Sequence, residues 1–171
     1  MRQLILMRHA QAASAAPAGG DRERPLSPQG RAEALAAGRA LAARGVRPDL
    51  AIVSAARRTR ETWAAVAEGL GIAADAPKLE AEAALYNAGA DVLRRHVEGA
   101  EERCEALLLI AHNPGVHQLA FDLLTEAAAS EAVLDRVRTG FAPGMAVLFQ
   151  VDAAGRCTYD GMILPDGAGR P

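Results

Sequence analysis

The sequence has few cysteines and no long apolar run, and each absence restricts the class of protein. Cys104 and Cys157 are the two cysteines of the chain and lie far apart, which argues against a disulfide scaffold and favours a reducing compartment. The longest apolar run, ALLLIA at 106–111, suits a buried strand and is too short to cross a bilayer. The apolar stretch near Met1 is too short for a signal peptide. We therefore expect a cytoplasmic protein with no membrane segment.

An excess of charge of one sign is also lacking. The chain has 19 basic and 21 acidic residues, a net charge of −2, spread along its length. Without a basic tail or stripe, binding to nucleic acid or to an anionic membrane surface is disfavoured. Half of the residues are apolar, which is enough for one full core and little for two. We expect a monomer with one domain at 1–165 and a disordered tail at 166–171.

Strands and helices are predicted to alternate along most of the chain. Short apolar runs predict buried strands at 4–7, 49–54 and 106–111, and a late hairpin of 145–151 with 157–163. Apolar residues at helical spacing, with capping residues, predict helices at 27–45, 58–71, 89–100 and one opened by Asn113 and Pro114. This alternation predicts an α/β fold: a three-layer α/β/α sandwich with a largely parallel sheet and an antiparallel edge hairpin.

Polar residues follow three of these strands at the point where each strand ends. Arg8 and His9 end the first strand, Arg57 and Arg58 follow the second, and His112 follows the third. The carboxyl ends of parallel strands share one edge of the sheet, where ligands gather. The sequence therefore predicts a crevice with two imidazoles and at least one guanidinium. Arg donors match phosphate oxygens, and a neutral His can attack phosphorus, so this set suits a dianionic phosphoryl group.

Three segments of the chain resemble a known family. MRHA at the end of strand one, SAARRTRETW after strand two and AHNPG after a third strand are similar to the signature segments of the histidine phosphatase superfamily, the phosphoglycerate mutase-like family. Their order and spacing, with DRERPLSPQGR between the first two, most resemble the small SixA-type phosphohistidine phosphatase branch. The resemblance covers about residues 1 to 125 and implies the phosphoglycerate mutase-like fold.

The resemblance also implies roles for individual residues. His9 matches the nucleophile, Arg8 its phosphate-binding neighbour, Arg58 the arginine of the second segment, Thr62 the threonine of that segment and His112 the second histidine of the pocket. The chain departs from the family pattern at three positions, where small residues replace two glycines and a proline: Ala10, Ala111 and Ala55.

The general acid is left open by the sequence. In larger relatives a carboxylate protonates the leaving group, and the matching segment here, KLEAEAALYNAG, contains Glu80 and Glu82. Glu82 is the favoured candidate because it stands just before ALY, and Asp21 in the long first loop is another. Geometry has to decide between them. Arg57 is interpreted as a surface charge more readily than as a phosphate ligand.

These observations favour a metal-independent phosphatase, without cofactor, that hydrolyses phosphohistidine on a protein through a phosphohistidine intermediate. His112 and His117 are separated by Pro114 and lack a third ligand of suitable spacing, so no metal site is predicted. Two alternatives stay open: a phosphatase of small phosphate monoesters, and a non-catalytic module that binds phosphorylated ligands. The expected partner is a phosphorylated protein or a small phosphorylated substrate.

Overall fold

The computed structural model describes residues 1–16, 18–75 and 77–165, and the backbone of 169–170. Its strands are β1 (Gln3–Arg8), β2 (Leu50–Ser54), β3 (Lys78–Glu82), β4 (Ala106–Ala111), β5 (Ala146–Val151), β6 (Cys157–Ile163) and β7 (Gly169–Arg170). Its helices are α1 (Pro28–Ala43), α2 (Arg57–Leu70), α3 (Ala90–Glu98), α4 (Gly115–Glu126) and α5 (Glu131–Arg138). Two short 3₁₀ turns lie at Asp21–Glu23 and Ala83–Leu85.

The strands form one mixed sheet in the order β3-β2-β4-β1-β5-β6-β7. β3, β2, β4 and β1 are parallel, whereas β5 pairs with β1 antiparallel and continues into β6. The predicted α/β class, the largely parallel sheet and the hairpin toward one edge are thus confirmed. The fold agrees with the phosphoglycerate mutase-like architecture implied by the sequence.

Two apolar cores cover the two faces of the sheet. Successive side chains of β1 point to opposite faces, so Ile5 and Met7 join the core beneath α1 and α2, while Leu4 and Leu6 join the core beneath α3, α4 and α5. All four of these side chains are fully buried. Burial of each contributes roughly 1.5–3 kcal/mol to folding, which explains why this short run specifies a central strand.

Helices α1 and α2 pack unusually closely on their face of the sheet. α1 begins where the Ser27 hydroxyl accepts a hydrogen bond from the Gly30 amide at 3.0 Å, with Pro28 in the first turn. At the helix crossing, Gly38 lies against the backbone of Val66, and a Cβ on Gly38 would be 2.2 Å from the Val66 carbonyl oxygen. The crossing therefore requires glycine, and it fixes the position of α2 over the sheet.

The strand register brings the predicted site residues to one level. Arg8 pairs with Ala111 across β1 and β4, and Val53 pairs with Ile110 across β2 and β4. The residues that follow, His9, Ser54 and His112, consequently stand side by side at the carboxyl edge of the sheet.

Some predicted elements differ from the structure. The segment KLEAE forms the edge strand β3, and residues 131–138 form α5, neither of which was predicted. α4 begins at Gly115, one residue later than predicted, because the Asn113 side chain donates to the Phe141 carbonyl instead of capping the helix. Within the predicted tail, 166–168 and 171 lie outside the described residues, whereas Gly169–Arg170 pair with the end of β6.

Candidate active site

His9 lies at the carboxyl end of β1 with its ring held by the backbone. Its Nδ1–H donates to the Ala10 carbonyl at 2.8 Å, which assigns the proton to Nδ1 and leaves Nε2 unprotonated. The Nε2 lone pair accepts a hydrogen bond from the Arg58 Nε–H at 3.3 Å. His9 is only 8% exposed, so a ligand reaches Nε2 only through the cleft described below.

Arg58 joins the two histidines from the first turn of α2. The guanidinium is 3% exposed, and its Nη2 lies 3.3 Å from His112 Nδ1. His112 in turn donates from Nε2 to the Ser54 hydroxyl at 2.8 Å. The Nε and Nη2 groups of Arg58 therefore face the two imidazoles, whose ring centroids are 5.1 Å apart.

The environment keeps both imidazoles neutral near neutral pH. Burial lowers the pKa of His9 to about 4, and the positive charges of Arg58 and Arg8 act in the same direction. Burial, followed by the neighbouring His9 and Arg58, lowers the pKa of His112 to about 3. A neutral His9 retains its nucleophilic lone pair, which a protonated ring lacks.

Arg8 supplies a second guanidinium, tied to the loop before β5. Its Nη1 donates to the Phe141 carbonyl at 2.8 Å, and the Asn113 amide donates to the same oxygen at 3.0 Å. The Nε group of Arg8 is buried and has no hydrogen-bond partner among the described residues. Burial lowers the pKa of Arg8, although a guanidinium stays charged in proteins.

Thr62 connects α2 to the loop that follows His9. Its hydroxyl accepts a hydrogen bond from the Ala10 amide at 3.1 Å and donates to the Arg58 carbonyl at 2.6 Å. Thr62 and Ala10 are both fully buried. Thr62 therefore sets the distance between the backbones that carry His9 and Arg58.

The first loop places a carboxylate against Arg58. Asp21 accepts from Arg58 twice, through its backbone oxygen at 2.8 Å and through Oδ2 at 3.1 Å. The Tyr86 hydroxyl donates to the same Oδ2 at 2.6 Å, and Arg24 Nε lies 2.9 Å from Oδ1. These partners, Tyr86 foremost, hold the pKa of Asp21 below its usual range. Of the three carboxylates weighed from sequence, Glu80, Glu82 and Asp21, only Asp21 is among the described residues that line the cleft, while Glu80 pairs with Lys78 and Arg103.

Glu82, the favoured general acid from the sequence, is not among the described residues that line the cleft, and its role stays a prediction. It is the last residue of β3 and pairs with Ser54 of β2, and its backbone oxygen accepts from the Ala55 amide. Its carboxylate makes no hydrogen bond to the described part of the chain. KLEAE is the edge strand of the sheet, and Glu82 ends it level with Ser54. Arg57 likewise points away and pairs with Glu61 at 2.6 Å, as its interpretation as a surface charge requires.

Tyr86 is a site residue that sequence reasoning missed. It follows the Ala83–Leu85 turn, with its ring edge toward His112 at 5.5 Å between centroids and the Arg22 guanidinium 4.4 Å from its face. The signal in the sequence is the ALY segment, whose tyrosine is one of two in the chain and follows the last strand residue by only four positions.

Together these groups line an open cleft of about 510 Å³ at the carboxyl edge of the sheet. The lining residues are Arg8, His9, Asp21, Arg24, Arg58, Tyr86, Asn87, His112 and Asn113. Two guanidiniums beside two neutral imidazoles match the charge and the donor geometry of a phosphoryl dianion.

No group of three or more His, Cys, Asp or Glu side chains in the described residues is arranged to hold a metal ion. Across the same residues, none of the helices has the length and apolar character needed to cross a membrane.

The comparisons with known proteins agree with this geometry. The family model of the histidine phosphatase superfamily (branch 1) matches residues 4–86. An uncharacterized protein of Mycobacterium tuberculosis is 36% identical over 144 residues, which cover 83% of this chain and 85% of the relative.

Solved structures show the same fold over nearly the whole chain. A protein assigned as the phosphohistidine phosphatase SixA of Agrobacterium tumefaciens matches with a TM-score of 0.78 at 26% identity, covering 96% of this chain and 98% of that one. Its counterpart from Nakamurella multipartitia also has a TM-score of 0.78, at 29% identity, covering 96% of each chain. The α-ribazole phosphatase of Shigella flexneri shares the fold at 12% identity and a TM-score of 0.62, covering 92% of this chain and 94% of that one.

The chain therefore belongs to the histidine phosphatase superfamily, and it is a phosphatase of the SixA type.

Proposed function

We propose that this phosphatase hydrolyses phosphohistidine on a protein through a phosphorylated intermediate on His9. The observation that carries the proposal is the unprotonated Nε2 of a neutral His9, which accepts a 3.3 Å hydrogen bond from Arg58 in a cleft that the Arg8 guanidinium also lines. A group held in this way can attack phosphorus without first losing a proton.

In the first step, His9 Nε2 forms a bond to phosphorus while the bond from phosphorus to the leaving nitrogen breaks, and the electron pair stays on that nitrogen. Arg8 and Arg58 bind the phosphoryl oxygens and stabilise the charge spread over them. Burial is the main cause of the low pKa of His112, and the bound dianion raises that pKa again because it favours the protonated ring, which can then donate to a phosphoryl oxygen.

In the second step, water attacks the phosphorus of phospho-His9. The bond between phosphorus and Nε2 breaks, its electron pair returns to His9, and phosphate leaves. No metal enters either step, because arginine and histidine supply the positive charge in this scheme.

The ionised state of Asp21 supports phosphohistidine as the substrate class. An alcohol leaving as alkoxide needs a proton in the transition state, whereas a departing imidazole has a conjugate-acid pKa of about 6.5 and leaves more readily. Asp21, the carboxylate among the described residues that line the cleft, has a lowered pKa and is ionised at neutral pH, so it offers no proton to an alkoxide. The open cleft also admits a histidine displayed on a protein surface.

The SixA proteins of Agrobacterium tumefaciens and Nakamurella multipartitia are assigned as phosphohistidine phosphatases, and this supports the same substrate class here. The α-ribazole phosphatase has the same fold, so the fold by itself does not select the substrate.

The test is turnover of wild type and His9→Ala on a phosphohistidine protein and on a panel of aliphatic phosphate esters. We expect a higher kcat/KM for the phosphohistidine protein, phosphate on His9 after a neutral quench and mass spectrometry, and no turnover by His9→Ala. Activity should persist in EDTA. Preferential ester hydrolysis would instead favour a small-monoester phosphatase, and binding without turnover would favour a phospho-ligand binding module.

A further inference from the structure

Asp21 has a position in the cleft that bracing Arg58 does not fully explain. Among the described residues that line the cleft, it alone carries a carboxylate. Its side chain is 50% exposed, in contrast to the almost fully buried Arg58 that it contacts. The carboxylate therefore faces both the guanidinium and the solvent that enters the cleft.

Arg58 contacts Asp21 through two donors, and only one of them is shared with the imidazoles. Nε and Nη2 face His9 and His112, whereas Nη1 donates to the backbone oxygen of Asp21 and Nη2 also donates to its Oδ2. A phosphoryl group between the imidazoles uses Nε and Nη2, so the contact from Nη1 to the Asp21 backbone can remain when it binds. The Tyr86 hydroxyl still holds Oδ2 when Nη2 turns to the phosphoryl group, and the carboxylate does not have to leave the cleft.

The two oxygens of Asp21 differ in their partners. Oδ2 accepts from the Tyr86 hydroxyl at 2.6 Å and from Arg58 Nη2 at 3.1 Å. Oδ1 has the ion pair with Arg24 at 2.9 Å and keeps a lone pair for a further donor. Tyr86, packed between Arg22 and His112, fixes the rotation of the carboxylate.

We propose that Asp21 is the catalytic base that accepts a proton from the water attacking phospho-His9, with Tyr86 as its positioning residue. This inference rests on the proposed function, because it requires the phosphorylated His9. As the water oxygen bonds to phosphorus, one water proton passes to Asp21 Oδ1, and the electron pair of the broken N–P bond returns to His9 Nε2. The proton then leaves Asp21 to solvent.

Asp21 assists only the second of the two steps, the hydrolysis of phospho-His9. An ionised carboxylate accepts protons and has none to donate, so Asp21 assists the attack of water and not the departure of an alkoxide. This agrees with a phosphatase of N–P bonds, whose leaving nitrogen needs little help, and it assigns the carboxylate to the second step.

The test separates formation of phospho-His9 from its breakdown in Asp21→Asn. Phosphoramidate, a small N–P phosphoryl donor, is used to phosphorylate the full chain, and excess donor is removed. The decay of phospho-His9 is then followed by mass spectrometry in water alone and with free imidazole as acceptor. Neutral imidazole attacks through its lone pair and loses no proton first, so its phosphorylation does not require a base.

We expect formation of phospho-His9 near the wild-type rate in Asp21→Asn, since the amide oxygen still accepts from Arg58. Hydrolysis should slow by about 100-fold, the usual contribution of a general base, while transfer to imidazole, read by ³¹P NMR, stays close to wild type. Tyr86→Phe should show a smaller effect of the same kind. Glu23→Gln is the matched control, because Glu23 belongs to the same turn, does not line the cleft and forms no hydrogen bond or ion pair with Arg58.

Three other results would overturn the assignment or its premise. Unchanged hydrolysis in Asp21→Asn would exclude Asp21 as the base. Equal loss of hydrolysis and imidazole transfer would show that Asp21 acts only by bracing Arg58. Failure of the wild type to form phospho-His9 would contradict the proposed function itself and is seen before any variant is compared.

Discussion

At the scale of single residues, Arg58 connects the polar groups of the cleft. Its three nitrogens contact His9, His112 and Asp21, and its carbonyl accepts from Thr62, which in turn holds Ala10. A guanidinium suits this position because its planar donors have fixed directions, which a lysine ammonium lacks. Burial chiefly lowers the pKa of both histidines, and the positive charge of Arg58 acts in the same direction, which keeps the nucleophile unprotonated.

Arg58→Ala should therefore lose far more activity than Arg57→Ala. Arg58 is buried between the imidazoles, and removing such a donor costs about 10² to 10³ in kcat. Arg57, one position earlier, pairs with Glu61 at the surface, so its loss should change kcat/KM little. Steady-state kinetics on one phosphohistidine protein compares the two, and similar losses would mean that Arg58 is not the principal phosphate ligand.

At the scale of elements, the predictable part of the structure is the part with strong hydrophobic patterns. β1, β2 and β4 each contain an unbroken run of at least four apolar residues because helices cover both faces, and such runs are visible in sequence. β3 is an edge strand of charged and small residues with its register set by β2, so nothing in KLEAE distinguishes it from a loop.

The same reasoning explains which site residues were predicted. Arg8, His9, Arg58 and His112 follow directly from strand ends, where topology decides their neighbours. Asp21 lies in the loop between β1 and α1, and its approach to Arg58 depends on how that loop folds. Tyr86 reaches the cleft because the Ala83–Leu85 turn redirects the chain after β3. The spacing of apolar residues in the sequence does not predict such a turn.

The crossing of α1 and α2 gives a prediction at this scale. Gly38→Ala should lower the free energy of unfolding by about 1–3 kcal/mol, because the new Cβ would stand 2.2 Å from the Val66 carbonyl oxygen and force the helices apart. Helix propensity alone predicts the opposite sign, a gain of about 1 kcal/mol. Urea denaturation measures the difference, and α2 carries Arg58, so kcat should fall as well.

The exposed Ala32 on α1 offers a matched comparison for Gly38. Ala32→Gly should lower the free energy of unfolding by about 1 kcal/mol through propensity alone, with kcat unchanged. A Gly38→Ala protein as stable as the wild type would show that the two helices can separate without cost.

At the scale of the whole molecule, the catalytic edge makes the folded state sensitive to acid. His9 and His112 are buried at the end of the central strands, with pKa values of about 4 and about 3. Their pKa values in the unfolded chain are about 6.5. Between these values the unfolded chain binds protons that the folded protein does not, so stability must fall as the pH falls.

Between pH 7.5 and pH 5, the two histidines dominate the pH dependence of the free energy of unfolding. Asp21 has a lowered pKa and loses its contribution to stability only at more acidic pH, while the raised pKa values of Cys104, Cys157 and Tyr159 matter in alkaline solution. From pH 7.5 to 5, His9 and His112 should each remove up to about 2 kcal/mol from the free energy of unfolding. Above pH 7 both rings are neutral in both states, and the dependence should level off.

Urea denaturation at pH 7.5 and at pH 5 measures this loss in the wild type and in a His9→Asn, His112→Asn double variant. The wild type should lose stability on acidification, and the double variant should lose markedly less, because asparagine takes up no proton in the unfolded chain. NMR titration of the histidine Cε1–H signals checks the cause, with neither ring becoming protonated above pH 5. Equal losses in the two proteins would show that the nucleophile is not held neutral by burial, since a ring that protonates equally in both states contributes nothing to this slope.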